Sequence, residues 1–206
     1  MKIITISREF GSGGRKLGKR LADIMNFDYY DRAIITAIAQ NKGLNADYVQ
    51  HQLENLDWKS IPLTYCRTIH SARYMNADSM VLLAEQQKVI ERIAALGKDC
   101  VIVGRNADVI LNEYNPLNIF VCADTAAKIK RCTERSTEGE HLTEKELIQK
   151  MKQIDKMRSK TRELLSNSAW GQRDAYHLTV NTSEWNIKEL SVAVADFSEH
   201  WFRRTS

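Results

Sequence analysis

Residues 2–22 read KIITISREFGSGGRKLGKRLA. The stretch opens on a β-branched run, Lys2–Ser7, turns through Gly11, Ser12, Gly13 and Gly14, and then sets Leu17, Leu21, Ile24 and Met25 at helical spacing. A strand that passes through glycines straight into a helix predicts a phosphate cradle. Glycines let backbone N–H groups converge, and the helix N-terminus adds partial positive charge. Arg15, Lys16, Lys19 and Arg20 bring cations to the helix end where acids are usual, so a bound polyanion is the expected compensation. The plain alternative is a glycine-rich turn without a ligand. The spacing misses G-x-x-x-x-G-K-[ST] in both registers. With Gly13 as the second glycine, Gly14 stands at the lysine and Arg15 at the hydroxyl residue. Shifted by one, Arg15 stands at the lysine and Lys16 at the hydroxyl residue.

Outward from this loop, the runs Cys100–Gly104, Asn118–Ala123 and His177–Thr182, with a shorter Phe27–Tyr30, read as further strands. They are near-continuous in apolar character, which predicts a parallel sheet covered on both faces. Helical patterns separate them. Val89, Ile90, Ile93 and Ala94 form one stripe, which stops at Gly97. Asp124 can cap a helix running towards Arg135, and Thr143 with Glu146 makes a capping box ahead of Leu147, Met151 and Ile154. Asn186 and Glu189 start a last helix striped by Ile187, Leu190, Val194, Phe197 and Trp201. Strands alternating with helices predict a doubly wound α/β fold, one domain over residues 1–206. Residues 41–80, with His51, Trp58, Tyr65, His70 and Tyr74 but no clean period, read as a helical insertion whose aromatics and histidines pack.

The chain has 206 residues, 43% hydrophobic, enough for a full core. No apolar stretch is long enough to span a bilayer, and the N-terminal run is too short for a signal peptide, so no membrane is expected. Cys66, Cys100, Cys122 and Cys132 form no C-x-x-C pair, which argues against zinc and for reduced thiols in a cytoplasmic protein. A net charge of +4 is too mild for nucleic-acid binding but suits anionic ligands. Nothing in the pattern indicates an oligomeric state.

Ile4–Ala22 resembles the opening of bacterial cytidylate kinases, and Arg8-Glu9-Phe10-Gly11-Ser12-Gly13-Gly14-Arg15 resembles the hallmark of a divergent branch, the cytidylate kinase-like proteins. The resemblance continues through Tyr29-Tyr30-Asp31-Arg32, Val101–Asp108, Ile119-Phe120-Val121, a basic helix with Lys128, Lys130, Arg131 and Arg135, Asp155–Arg158, and Tyr176–Thr182. It covers most of the chain outside residues 41–80. It implies a P-loop fold with a five-stranded parallel sheet, an acceptor-binding helical insertion and a short lid over residues 140–175. The implied activity is transfer of a phosphoryl group from ATP, with Mg2+, to a nucleoside monophosphate, CMP or dCMP first among them.

Under this resemblance Gly11, Ser12, Gly13 and Gly14 bind the donor phosphates, and Arg15 or Lys16 replaces the lysine that Gly14 displaces. Arg131 lies near the donor base. Arg105, at a strand end, holds the acceptor phosphate, a task suited to its planar fork. Asp31 either holds a substrate hydroxyl or caps the next helix. Asp155 and Arg158 read the acceptor nucleoside, and Arg158 or Arg162 clamps the transferring group. Lys128 and Lys130 are expected on a mostly solvated helix face. No side chain is assigned to the metal. The departures from the pattern are Gly14 for lysine, Asn106 for an aspartate, and Gln86, Gln87 and Lys88 for acceptor-binding arginines. They keep two alternatives in view: a kinase for another small acceptor, and a non-catalytic nucleotide-binding regulator.

Overall fold

The computed structural model describes residues 1–54, 77–134 and 142–205. Five strands form one sheet: β1 (Ile3–Arg8), β2 (Asp28–Tyr30), β3 (Cys100–Val103), β4 (Leu117–Cys122) and β5 (Leu178–Asn181). Their order is β2-β3-β1-β4-β5, and every pairing is parallel. All five match runs picked out by apolar content. β1 is central, with Ile3 opposite Cys100 and Ile4 opposite Leu117.

The pleat divides the core in two. Ile4, Ile6, Val101, Val103, Ile119 and Val121 pack against Leu17 and Leu21 of α1 (Gly14–Met25) and Ile187, Leu190 and Val194 of α8 (Ile187–Thr205). On the other face Ile3, Cys100 and Ile102 pack with α2 (Arg32–Lys42), α3 (Ala46–Glu54) and α4 (Ala77–Ala95), through Ile34, Ile38, Val49, Leu82 and Ile90. Each fully buried aliphatic side chain of this kind is worth about 1.5–3 kcal/mol. Two stripe residues fall outside the core. Ile24 is 48% exposed, and Phe197 is 37% exposed and stacks on Trp201. Both lie at the margin of their helical stripe, where a period alone does not tell buried from wet.

The remaining helices are α5 (Ala107–Ile110), α6 (Thr125–Thr133) and α7 (Glu144–Leu165). Asp124 caps α6 by accepting from Ala127 N at 2.6 Å, and Thr143 with Glu146 closes the capping box of α7. Within 41–80 the described part is helical, in the end of α2, α3 and the start of α4; Trp58, Tyr65, His70 and Tyr74 lie outside the described residues. So does Arg135. The expected lid contains α7 and a short 3-10 turn at Arg173–Ala175. Among the described residues no helix is long and apolar enough to cross a membrane.

Candidate functional site

β1 delivers the glycine loop to the carboxyl edge of the sheet, beside the ends of β3 and β4, where α/β folds bind ligands. Gly13 is the residue that caps α1, with φ 83°, and it makes no side-chain capping bond. The first turn of α1 carries no acid. The helix N-terminus is thus offered to the loop without an internal anion, as phosphate binding requires.

Several distant side chains hold the loop. Asp155 on α7 accepts the Phe10 N–H at 2.7 Å, while Arg158 donates to the Arg8 carbonyl at 2.8 Å and to Asp155 at 3.1 Å. Glu9 accepts from Ala123 N at 3.2 Å and pairs with Lys128 at 3.0 Å. Thr182 donates to the Ser12 carbonyl at 2.6 Å, and Arg131 donates to the Thr182 hydroxyl at 3.0 Å and to its carbonyl. Lys128 therefore does not belong to a solvated face: its side chain is 13% exposed, because a carboxylate in the loop draws it in.

Beside the loop lies a cleft with about 660 Å3 of empty space, open solvent included. Arg8, Arg105 and Arg158 are among its walls, together with Gln86, Asn106 and Trp170, and among the described residues no carboxylate lines it. Arg105 sits in a strained run: Gly104, Arg105 and Asn106 have φ of 73°, 60° and 53° in succession. Left-handed backbone is costly for side chains other than glycine and concentrates at functional sites. The buried Gln86 donates to the Arg105 carbonyl at 3.1 Å, so it braces this run from the position where an arginine was expected from the resemblance.

Arg8 is the site residue that sequence reasoning missed. Its side chain is 11% exposed and reaches 3.9 Å from Asp31 Oδ1. Burial, then Arg158 and Arg15, pull its pKa down to about 9 against the opposing pull of Asp31. Two glycines clear its path. A Cβ at Gly14 would lie 2.7 Å from the Arg8 Cβ, and one at Gly104 would lie 1.6 Å from its Nη1. An arginine facing two glycines is a visible signal, but only once the strand ends are known to be neighbours.

The other expected site residues divide. Arg15 Nε meets Asp31 Oδ2 at 2.5 Å, with half of its side chain in solvent. Lys16 is exposed on the outer flank of α1, with Lys19 and Arg20 along the same surface. Asp31 is buried and stands at the N-cap of α2 but makes no side-chain capping bond there; among the described residues its Oδ1 has no hydrogen-bond partner. Arg162 is not at the loop. It forms a buried ion pair with Asp108, donates to Ser168 at 3.0 Å and lies 5.1 Å from the Tyr176 ring centre. In this arrangement the Arg162 charge is engaged by Asp108 of α5, so the expected clamp would require that pair to open.

Magnesium has no ready shell. Arg15 and Lys16 stand where a hydroxyl would be needed, and among the described residues no group of three His, Cys, Asp or Glu side chains gathers.

A model of the cytidylate kinase-like family matches residues 3–184. No curated protein matches the chain in sequence. Among solved structures, an uncharacterized protein from Eubacterium ventriosum is 24% identical, over 97% of this chain and 99% of that one, with a TM-score of 0.67. A shikimate kinase from Bacteroides thetaiotaomicron is 13% identical over 96% and 98%, with a TM-score of 0.57. A shikimate kinase from Acinetobacter baumannii, solved in complex with shikimate, is 12% identical over 96% and 92%, with a TM-score of 0.52. These likenesses establish a P-loop kinase fold.

Proposed function

Because this chain belongs to the cytidylate kinase-like family, we propose that it transfers the γ-phosphoryl group of ATP to a nucleoside monophosphate, with CMP or dCMP as acceptor. The observation that carries the reading is the N-terminus of α1, free of side-chain caps and of acids in its first turn, beside a cleft walled by Arg8, Arg105 and Arg158. Phosphoryl transfer asks the protein for alignment and for charge stabilisation, and little covalent chemistry. The bond from the γ-phosphorus to the β–γ bridging oxygen breaks as an acceptor phosphate oxygen bonds to that phosphorus. The acceptor oxygen is already ionised, so no proton has to be removed.

In this reading the backbone of Gly11, Ser12, Gly13 and Gly14 takes the donor phosphates. Arg131 fixes the loop from the donor side, through Thr182. Arg105 holds the acceptor phosphate, and the unbonded Asp31 Oδ1 accepts an acceptor hydroxyl. Asp155 and Arg158 position the loop, and Arg158, which also lines the cleft, meets the transferring group. Magnesium would come with ATP, and no step here is routed through it. The proposed setting is cytoplasmic, in keeping with free thiols at Cys100 and Cys122.

The test is ADP release from ATP with CMP, dCMP, UMP, AMP and non-nucleotide acceptors. Turnover confined to pyrimidine monophosphates supports the proposal. Turnover of a non-nucleotide acceptor alone favours a kinase for another small molecule, a reading that Gln86 in place of an arginine supports. ATP binding without turnover of any acceptor favours a non-catalytic regulator.

A further inference from the structure

We propose that Arg8 supplies the positive charge that a P-loop lysine brings to the β- and γ-phosphates, reaching them across the space left open by Gly14 and Gly104. The inference rests on the phosphoryl-transfer reading above and assigns a residue within it. In the family register the lysine position is Gly14, and this position has no room for a side chain: its Cβ would fall 2.7 Å from the Arg8 Cβ and 3.3 Å from the Val121 Cβ. The stem of Arg8 occupies the path the lysine would have taken. Its far end lies over Gly104, so the guanidinium stands between the ends of β1 and β3. It lines the same cleft as Arg105 and Arg158.

The charge balance supports a bound anion there. Arg8 is nearly buried, and among the described residues its one carboxylate neighbour, Asp31 at 3.9 Å, is shared with Arg15 at 2.5 Å. Burial and the neighbouring arginines disfavour its charged form. A triphosphate would reverse that cost, since a charge left short of partners in a low-dielectric site gains most from an opposite charge. The two candidates from sequence fit less well. Arg15 is half in solvent and engaged with Asp31, and Lys16 is exposed on the flank of α1. An arginine also differs from a lysine here, because its planar fork meets two phosphate oxygens at once.

The test uses the full chain and inorganic tripolyphosphate, which carries the donor's charge without its base. Calorimetric titration of wild type, Arg8→Gln, Arg8→Lys and Lys16→Ala is expected to show Arg8→Gln weakened on the order of ten- to a hundred-fold. Arg8→Lys should be intermediate, and Lys16→Ala within about threefold of wild type. Arg8→Gln binding as tightly as wild type overturns the proposal, as does a wild type that does not bind tripolyphosphate. Because Arg8 is buried, a variant can lose its fold, so thermal unfolding is followed for each. A crystal of the wild type with tripolyphosphate needs no variant. A guanidinium–terminal phosphate hydrogen bond at Arg8 supports the assignment, and a terminal phosphate held by Arg15 or Lys16 instead overturns it. Loss of tripolyphosphate affinity in Arg8→Gln alongside a wild type that phosphorylates nothing upholds Arg8 and sinks the kinase reading. Turnover by Arg8→Gln at the wild-type rate does the reverse.

Discussion

Asp155 on α7 accepts the backbone N–H of Phe10 at 2.7 Å, fastening that helix to the glycine loop. The same carboxylate holds Arg158 at 3.1 Å, which holds the Arg8 carbonyl. Asp155→Ala leaves a partly buried donor and a cation short of partners, and is expected to cost about 1–3 kcal/mol of stability. The loop should loosen with it, seen as faster amide exchange at residues 9–13 while the β3 amides stay protected.

The same carboxylate predicts a pH dependence. Burial, the largest influence, raises the Asp155 pKa above the ordinary carboxylate value, against the pull of Arg158 and of the Phe10 N–H. A raised acid binds its proton more tightly in the folded chain, so folding gains from this group at low pH. The gain is complete below the ordinary pKa and is lost as pH rises through the raised one. Unfolding free energies measured against pH should therefore show wild type gaining on Asp155→Asn as pH falls into the carboxylate range. A constant difference between the two across that range would contradict the assignment.

Gly14→Lys writes the missing lysine back into the loop, and it is expected to do harm. The new Cβ would sit 2.7 Å from the Arg8 Cβ, so Arg8 or the loop has to shift. Overpacking of this kind costs about 1–3 kcal/mol. The check is urea denaturation together with tripolyphosphate affinity; a variant as stable as wild type that binds more tightly would contradict the packing argument.

Arg105 separates binding from backbone strain. Arg105→Ala should weaken acceptor binding by about 1.5–3 kcal/mol with ATP affinity nearly unchanged. Arg105→Gly loses the same contact but suits φ 60° better, so it should be more stable than the alanine variant by roughly 1–2 kcal/mol. Equal stability of the two would argue that the strain is not there.

The Asp108–Arg162 pair is expected to carry stability and no chemistry. Removing either partner alone strands a buried charge, at about 3–5 kcal/mol, while replacing both with apolar residues of like volume should recover most of the loss. ATP affinity of the double variant should equal that of wild type.

The strands were legible because parallel strands buried on both faces write themselves as apolar runs, Cys100–Val103 most plainly. The caps were legible for a related reason: Thr143 and Glu146 act on backbone three residues away. Asp155 and Arg158 could be picked out as a pair from their spacing, yet their hold on Phe10 N and the Arg8 carbonyl could not, because those partners come from the far end of the chain. The partner of Arg162 was hidden for the same reason. Arg162 shares a helix with Arg158, and only the fold reveals that Asp108 is its neighbour. Arg8 stood in the sequence only as the first residue of the Arg8–Arg15 motif, and its place across from Gly104 is set by the fold alone.

The central place of β1 shapes how the protein is made. Ribosomes deliver Ile3–Arg8 first, but both flanking strands, β3 and β4, begin only at Cys100 and Leu117. At about 5–20 residues per second, the emerging strand waits roughly 5–20 seconds for its first neighbour. During that interval a β-branched segment, charged only at its last residue, Arg8, has both edges open, the kind of segment that pairs with copies of itself. Long-range parallel pairing is also slow to form. A nascent chain stopped before Leu117 has every residue of the glycine loop and still lacks one wall of the sheet that holds it, so the yield of native protein depends on what shields residues 3–8 until synthesis has passed β4.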